Sequence, residues 1–189
     1  MGALGACEVM TARKIAVVGG ECTGKTLLCQ ALADALPGLW VPEYLREFVD
    51  RHARVPRQQD QAVILATQIR LEADAVARAA AVRMGWVACD SAPIATAIYS
   101  AMYFGDRSLE AIAERHHATY ALTLLTDTDL PWEPDGAQRD GPAVRAEFDA
   151  RIDAWLGARG IPFARIRGHG AGRIDAARTA LRVLQSPPR

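Results

Sequence analysis

Ile15-Ala16-Val17-Val18-Gly19-Gly20-Glu21-Cys22-Thr23-Gly24-Lys25-Thr26 opens as a short apolar run, passes through a glycine-containing loop and continues into a helix-compatible segment. Gly19 to Thr26 fit G-x-x-x-x-G-K-[ST], the phosphate-binding P-loop. The backbone N–H groups of Gly19, Gly20, Glu21, Cys22, Thr23, Gly24, Lys25 and Thr26 are expected to close around the phosphates of ATP. The following helix start adds partial positive charge. Lys25 would reach the β- and γ-phosphates, and the Thr26 hydroxyl would bind Mg2+. Among 22 basic residues only Lys14 and Lys25 are lysines. An arginine-rich chain thus carries a lysine where a compact, point-like phosphate partner is wanted.

At 189 residues the chain has room for one well-buried domain. The expected division is a leader over 1–12, a single domain over 13–186 and a tail over 187–189. Acidic and basic residues balance at 22 each, which disfavours a dedicated nucleic-acid surface. No apolar run reaches the roughly 18 residues of a membrane span, and the start has no signal-peptide pattern, so a cytoplasmic location is expected. The four cysteines form no C-x-x-C pair, and reduced, mostly buried thiols are expected. A homo-oligomer is neither required nor excluded.

Outward from the P-loop, apolar runs alternate with helical periodicity. Strands are expected over 14–18, 39–41, 86–89, 120–125 and 163–166. Helices are expected over 25–35, 43–52, 58–83, 93–103, 108–117 (Ser108 as N-cap) and from Pro142, with a last one striped by Ile174, Ala177, Leu181 and Leu184. In the long helix the expected buried stripe is Ala62, Leu65, Ile69, Ala73, Val76 and Ala80. The adjacent His116 and His117 read as surface residues, and 168–172 as a turn. Residues 126–141 form a loop long enough to be functional. The pattern predicts an α/β fold: a three-layer P-loop NTPase domain with a mostly parallel, five-stranded sheet.

Ligands of such sheets gather at the carboxyl ends of the strands. The second strand delivers Glu43, Tyr44, Arg46 and Glu47, the third Asp90, and the fourth Asp127, Asp129 and Trp132, followed by Arg139 and Arg145. Asp90 would hold Mg2+ with Thr26, or cap the next helix. Glu43 would accept a proton from an attacking hydroxyl, or complement a helix dipole. Arg139 and Arg145 form either a lid over the phosphates or a solvated pair. Trp40, Tyr44 and Trp132 are candidates to stack on a base, Trp132 first, whereas Trp86 reads as core.

The chain resembles the ribosylnicotinamide kinase domain of NadR-type proteins of NAD biosynthesis and their single-domain P-loop relatives. The likeness runs from about Lys14 to Leu184. It rests on the P-loop, Pro42-Glu43-Tyr44-Leu45-Arg46-Glu47-Phe48-Val49, Cys89-Asp90-Ser91 and Leu130-Pro131-Trp132-Glu133-Pro134-Asp135-Gly136-Ala137-Gln138-Arg139-Asp140. The resemblance implies transfer of the ATP γ-phosphoryl group, with Mg2+, to the 5′-hydroxyl of nicotinamide riboside. Lys25, Glu43, Asp90 and Arg139 would be catalytic. Glu43, Tyr44, Arg46 and Trp132 would face the substrate. The chain departs from the family at Ala92, where an acid is common. A kinase of another nucleoside or nucleoside monophosphate stays open, and so does a regulatory ATPase with no small-molecule acceptor. A GTPase switch is disfavoured, because the chain has no asparagine for N-K-x-D and no D-x-x-G.

Overall fold

The computed structural model describes residues 11–133 and 141–185. The elements run β1 Arg13–Val18, α1 Lys25–Ala35, β2 Gly38–Val41, α2 Tyr44–His52, α3 Gln58–Ala81 and β3 Trp86–Asp90. They continue with α4 Pro93–Phe104, α5 Glu110–His117, β4 Tyr120–Thr126, α6 Pro142–Ala158, β5 Phe163–Ile166 and α7 Gly170–Gln185. The strands form one sheet in the order β2-β3-β1-β4-β5, and every pairing is parallel.

The sheet is covered on both faces, as a parallel sheet requires, and period-2 alternation assigns the sides. Ile15, Val17, Leu122 and Leu124 pack under α1 and α7 against Leu28, Leu32, Ala177 and Leu181. Ala16, Val18 and Leu125 face Ile94, Ile98, Phe148 and Ile152 on the opposite side. Val87 and Cys89 turn that way too, against Ala75 and Ala79 of α3.

Four expectations are corrected. The buried face of α3 is Gln61, Ile64, Leu65, Gln68, Glu72, Ala75 and Ala79, so Ala62 and Ala73 are exposed. Three polar residues lie on that face, and a search for apolar spacing passes over them. His117 is buried against Thr123, and His116 contacts the buried Glu72, so neither is a plain surface residue. Ser108 is not the cap of α5: its N–H goes to Asp106 Oδ1 (2.9 Å), and the helix begins at Glu110. The turn at 168–172 is shorter than expected, because α7 starts at Gly170.

Candidate active site

All five strands run the same way, so their carboxyl ends meet at one edge of the sheet, and the chain leaving each end builds the site. From β1 it turns sharply at Gly19, whose φ is +146°. A Cβ there would lie 2.2 Å from Thr126 Oγ1 and 2.8 Å from the Thr126 carbonyl oxygen. Glycine is required by both backbone and space. Thr126, the last residue of β4, donates to the Val18 carbonyl (3.1 Å) or to Thr23 Oγ1 (2.7 Å). Thr23 Oγ1 in turn donates to the Gly20 carbonyl at 2.7 Å. Gly24 takes a left-handed φ of +74° and starts α1, with no side-chain cap on that helix end. The first N–H groups of α1 are left for an anion. Lys25 Nζ donates to the Gly20 carbonyl at 2.8 Å, so the lysine lies folded along its own loop.

Opposite the loop, β3 ends on Asp90, which is almost fully buried. The next residue, Ser91, takes a φ of +54°, and its N–H bonds back to the Val17 carbonyl (3.0 Å). Thr26 Oγ1 donates to Asp90 Oδ2 at 2.5 Å, while Asp90 Oδ1 has no hydrogen-bond partner among the described residues. Burial raises the Asp90 pKa above the usual carboxylate range, and the Glu43 charge adds to this. Lys25 and the Thr26 hydrogen bond oppose the rise. Two oxygen-bearing groups with a buried, uncommitted oxygen fit a hard cation such as Mg2+. Ala92, two residues on, is fully buried in the apolar layer under α4 and α6. An acid at this position would be desolvated there.

The second strand opens the other half. Thr26, Trp40, Pro42, Glu43, Arg46, Glu47, Asp50, Arg51 and Asp90 line a cleft of about 530 Å³. Glu43 precedes the first residue of α2, and its Oε2 lies 3.4 Å from Arg46 Nε. Tyr44 and Trp132, both expected near the substrate, are not among the residues lining this cleft. The aromatic side chain in its wall is Trp40.

Trp132 bonds elsewhere. Its Nε1–H donates to Glu21 Oε1 (2.8 Å), and the Gly141 N–H reaches the same oxygen (3.1 Å). The P-loop glutamate therefore ties together the two described stems of the long loop. Arg145 lies against the P-loop: its Cγ is 2.7 Å from where a Cβ on Gly20 would be, and its NH1 donates to the Leu130 carbonyl (2.9 Å). Arg139, the other expected lid residue, lies outside the described residues, as do residues 1–10 of the leader expected over 1–12 and the tail over 187–189; Ala12, at the end of that leader, is buried against Val41, Val87 and Cys89.

A residue the sequence reading missed is Arg173 of α7, which is buried. Its NH2 donates to the Thr23 carbonyl (3.0 Å) and the Asp127 carbonyl (2.9 Å). Its NH1 reaches Asp129 Oδ1 (2.8 Å) and the Gly168 carbonyl (2.6 Å). One guanidinium thus pins the P-loop to the ends of β4 and β5. Burial pushes the Asp129 carboxyl up, but Arg173 and the Gly168 N–H outweigh it and hold it below the usual range. A lone arginine next to Gly172 carries no local signal for such a role.

A P-loop against a parallel sheet of order 2-3-1-4-5, with an open cleft beside it, defines a P-loop nucleotide-binding domain of the nucleoside- and nucleotide-kinase fold. The family follows from the sequence itself: residues 14–173 match the model of the AAA domain family AAA_28, and the chain belongs to that family. No curated protein matches the sequence. Among solved structures, one of the NadR protein in complex with NR is similar at 22% identity and a TM-score of 0.69, over 90% of this chain and 52% of that one. NadR in complex with NAD and AMP-PNP is similar at 20% identity and TM-score 0.71, over 95% and 51% of the two chains. Thymidylate kinase from Ehrlichia chaffeensis is similar at 14% identity and TM-score 0.60, over 93% and 100%. The chain spans about half the length of the NadR chains. The likeness to NadR-type proteins is one of fold. Among the described residues no helix is long and apolar enough to cross a membrane.

Proposed function

We propose that the protein is an ATP- and Mg2+-dependent kinase that phosphorylates the 5′-hydroxyl of nicotinamide riboside, giving nicotinamide mononucleotide. One observation carries this reading: the acceptor cleft is both aromatic and acidic. Its wall holds Trp40, with Glu43, Glu47, Asp50 and Asp90 against Arg46 and Arg51. With Asp90 given to Mg2+, the three carboxylates of Glu43, Glu47 and Asp50 still outnumber the two guanidinium groups, which favours a cation and disfavours the phosphate of a nucleoside monophosphate. A pyridinium ring offers a flat cation to the indole face, which attracts it by its quadrupole. Nicotinamide riboside is such a nucleoside.

The reaction is an in-line displacement at the γ-phosphorus. A bond forms from the 5′-oxygen, the bond to the bridging oxygen of ADP breaks, and the hydroxyl proton passes to a carboxylate. Glu43 is the proposed acceptor of that proton, with Arg46 holding its carboxylate in place. Lys25 leaves the Gly20 carbonyl and meets the β- and γ-phosphates. Arg145, already against the P-loop, supplies charge from the lid side; Arg139 is the second proposed lid cation, and Trp132 its proposed anchor. Thr26 and Asp90 would hold Mg2+, which neutralises phosphate charge when bound. The chain's own contribution is positioning and charge.

The test is a panel of acceptors offered with ATP and Mg2+: nicotinamide riboside, uridine, cytidine, thymidine, thymidylate and shikimate, with products read by mass spectrometry. Preferred transfer to nicotinamide riboside is expected. Transfer to another nucleoside or to thymidylate alone would replace the acceptor and keep the kinase. ATP hydrolysis at one rate with and without every acceptor would favour a regulatory ATPase.

A further inference from the structure

The second lysine, Lys14, lies at the amino end of β1, far along the strand from the P-loop, and its side chain is only 9% exposed. The β1–β4 register shifts between Lys14 and Ile15, so Lys14 pairs with Tyr120 and Ile15 with Leu122. Irregularities of this kind re-aim side chains. Lys14 Nζ sits 4.3 Å from the centre of the Tyr120 ring and donates to Glu72 Oε2 at 3.0 Å. Glu72 is fully buried on α3 and also accepts from the Tyr120 hydroxyl, at 2.7 and 2.8 Å. His116 Nε2 lies 2.7 Å from Glu72 Oε2 and 2.9 Å from Lys14 Nζ. A buried carboxylate is costly unless partnered in this way. These partners hold Glu72 in a single orientation.

One helical turn before Glu72 stands Gln68, also buried. Its Nε2 faces Glu72 Oε1 at 3.5 Å, and its Oε1 accepts the Tyr44 N–H at 2.9 Å. The carboxylate sets the amide's direction: the NH2 side must turn toward it, which leaves the carbonyl for Tyr44. Tyr44 is the first residue of α2, and Glu43 before it makes no side-chain cap bond. The N–H groups at a helix start need a partner, and here α3 supplies it.

We infer that Gln68 is a positioning residue for the acceptor: it caps α2 from the neighbouring helix and so sets where Glu43 and Arg46 stand in the cleft. Lys14, His116 and Tyr120 act one step behind, through Glu72. The chain of contacts runs from the amino end of the sheet to the acceptor side and bypasses the P-loop. Its predicted signature is therefore a defect in acceptor handling with ATP binding intact. The inference rests on the kinase reading for its kinetic arm alone.

Two variants test it. In Gln68→Leu, amide hydrogen exchange over residues 43–50 should quicken about tenfold while the P-loop segment keeps its rate, a measurement that needs no acceptor. With whichever acceptor the wild type phosphorylates, kcat should fall about tenfold and the KM for ATP should stay within twofold. Gln68→Glu keeps an oxygen for Tyr44 but sets a second carboxylate beside Glu72, within the same set of Lys14, His116 and Tyr120. Protonated, the new acid restores both contacts, so this variant should recover turnover toward acid pH, where the wild type does not gain. Unchanged exchange in Gln68→Leu would overturn the inference whatever the acceptor is. Parallel loss of ATP affinity, turnover and thermal stability, with no acid recovery in Gln68→Glu, would reduce Gln68 to a packing role and overturn it as well.

Discussion

His117 gives the fold a pH dependence whose size follows from its surroundings. The ring is 3% exposed, with Nε2 2.9 Å from Thr123 Oγ1 and Nδ1 buried without a partner among the described residues. It packs edge-on to Tyr120 (5.1 Å) and Trp155 (5.4 Å). Burial lowers its pKa to about 4; the neighbouring His116 and Lys14 charges add to the drop and Glu72 opposes it. In the unfolded chain a histidine titrates near pH 6.5, so between about 6.5 and 4 the unfolded state binds the extra proton. Stability is therefore full above pH 6.5 and falls as the pH is lowered. The loss from this one group is about 2 kcal/mol at pH 5 and about 3 kcal/mol at pH 4. The comparison is with His117→Gln, which keeps a polar end for Thr123 and cannot titrate. Urea unfolding of both proteins from pH 7.5 to 4.5 isolates the slope from any constant difference. The wild type should lose about 2.5 kcal/mol more than the variant across that range. Parallel pH curves, or a ring that titrates near 6.5 in the folded protein, would refute the assignment.

Three further outcomes are expected. Glu43→Gln should lower kcat by a factor of about 100 or more while ATP affinity measured by calorimetry stays near wild type; intact turnover would move the proton acceptor to Asp90. Gly19→Ala should abolish ATP binding, because the new Cβ would meet Thr126 Oγ1 at 2.2 Å and the Thr126 carbonyl at 2.8 Å; nucleotide affinity reads this directly. Glu21→Ala removes the oxygen shared by Trp132 and Gly141 and should raise ATP hydrolysis in the absence of acceptor several-fold, while Glu21→Gln, which keeps an acceptor, should stay near wild type.

The donor side was legible because its physics is local. A run of apolar residues, glycines that need unusual φ, and Lys25-Thr26 at the helix start lie within a dozen positions. Strand ends were equally readable where Pro42, Asp90 or Gly168 closes an apolar run. What escaped the sequence depends on contacts made at a distance. The face of α3 escapes an apolar count because Gln61, Gln68 and Glu72 are polar, and the burial of Gln68 and Glu72 is made tolerable by partners more than twenty residues away: Tyr44, Lys14 and Tyr120. His116 reads as solvated for the same reason, its partners being Lys14 and Glu72. Trp132 drew attention by standing in a polar loop, yet its indole N–H is taken by Glu21, and Trp40, at the end of a short strand, is the ring that lines the cleft. Arg173 shows the limit most plainly: three oxygens from distant segments, on Thr23, Asp127 and Asp129, give it a role that no neighbour in sequence announces.

The acidic, Trp40-walled cleft should select a cationic nucleoside. Nicotinamide riboside and its 1,4-dihydro form have nearly the same shape and the same 5′-hydroxyl but differ in the charge of the ring. Under matched ATP and Mg2+, kcat/KM for the oxidised form is expected to exceed that for the dihydro form by about tenfold, a cation–π contact of about 1.4 kcal/mol, between the exposed and the desolvated cases. Salt should narrow the gap as the carboxylates are screened. Equal use of the two forms, or preference for the uncharged one, would rule out selection by ring charge.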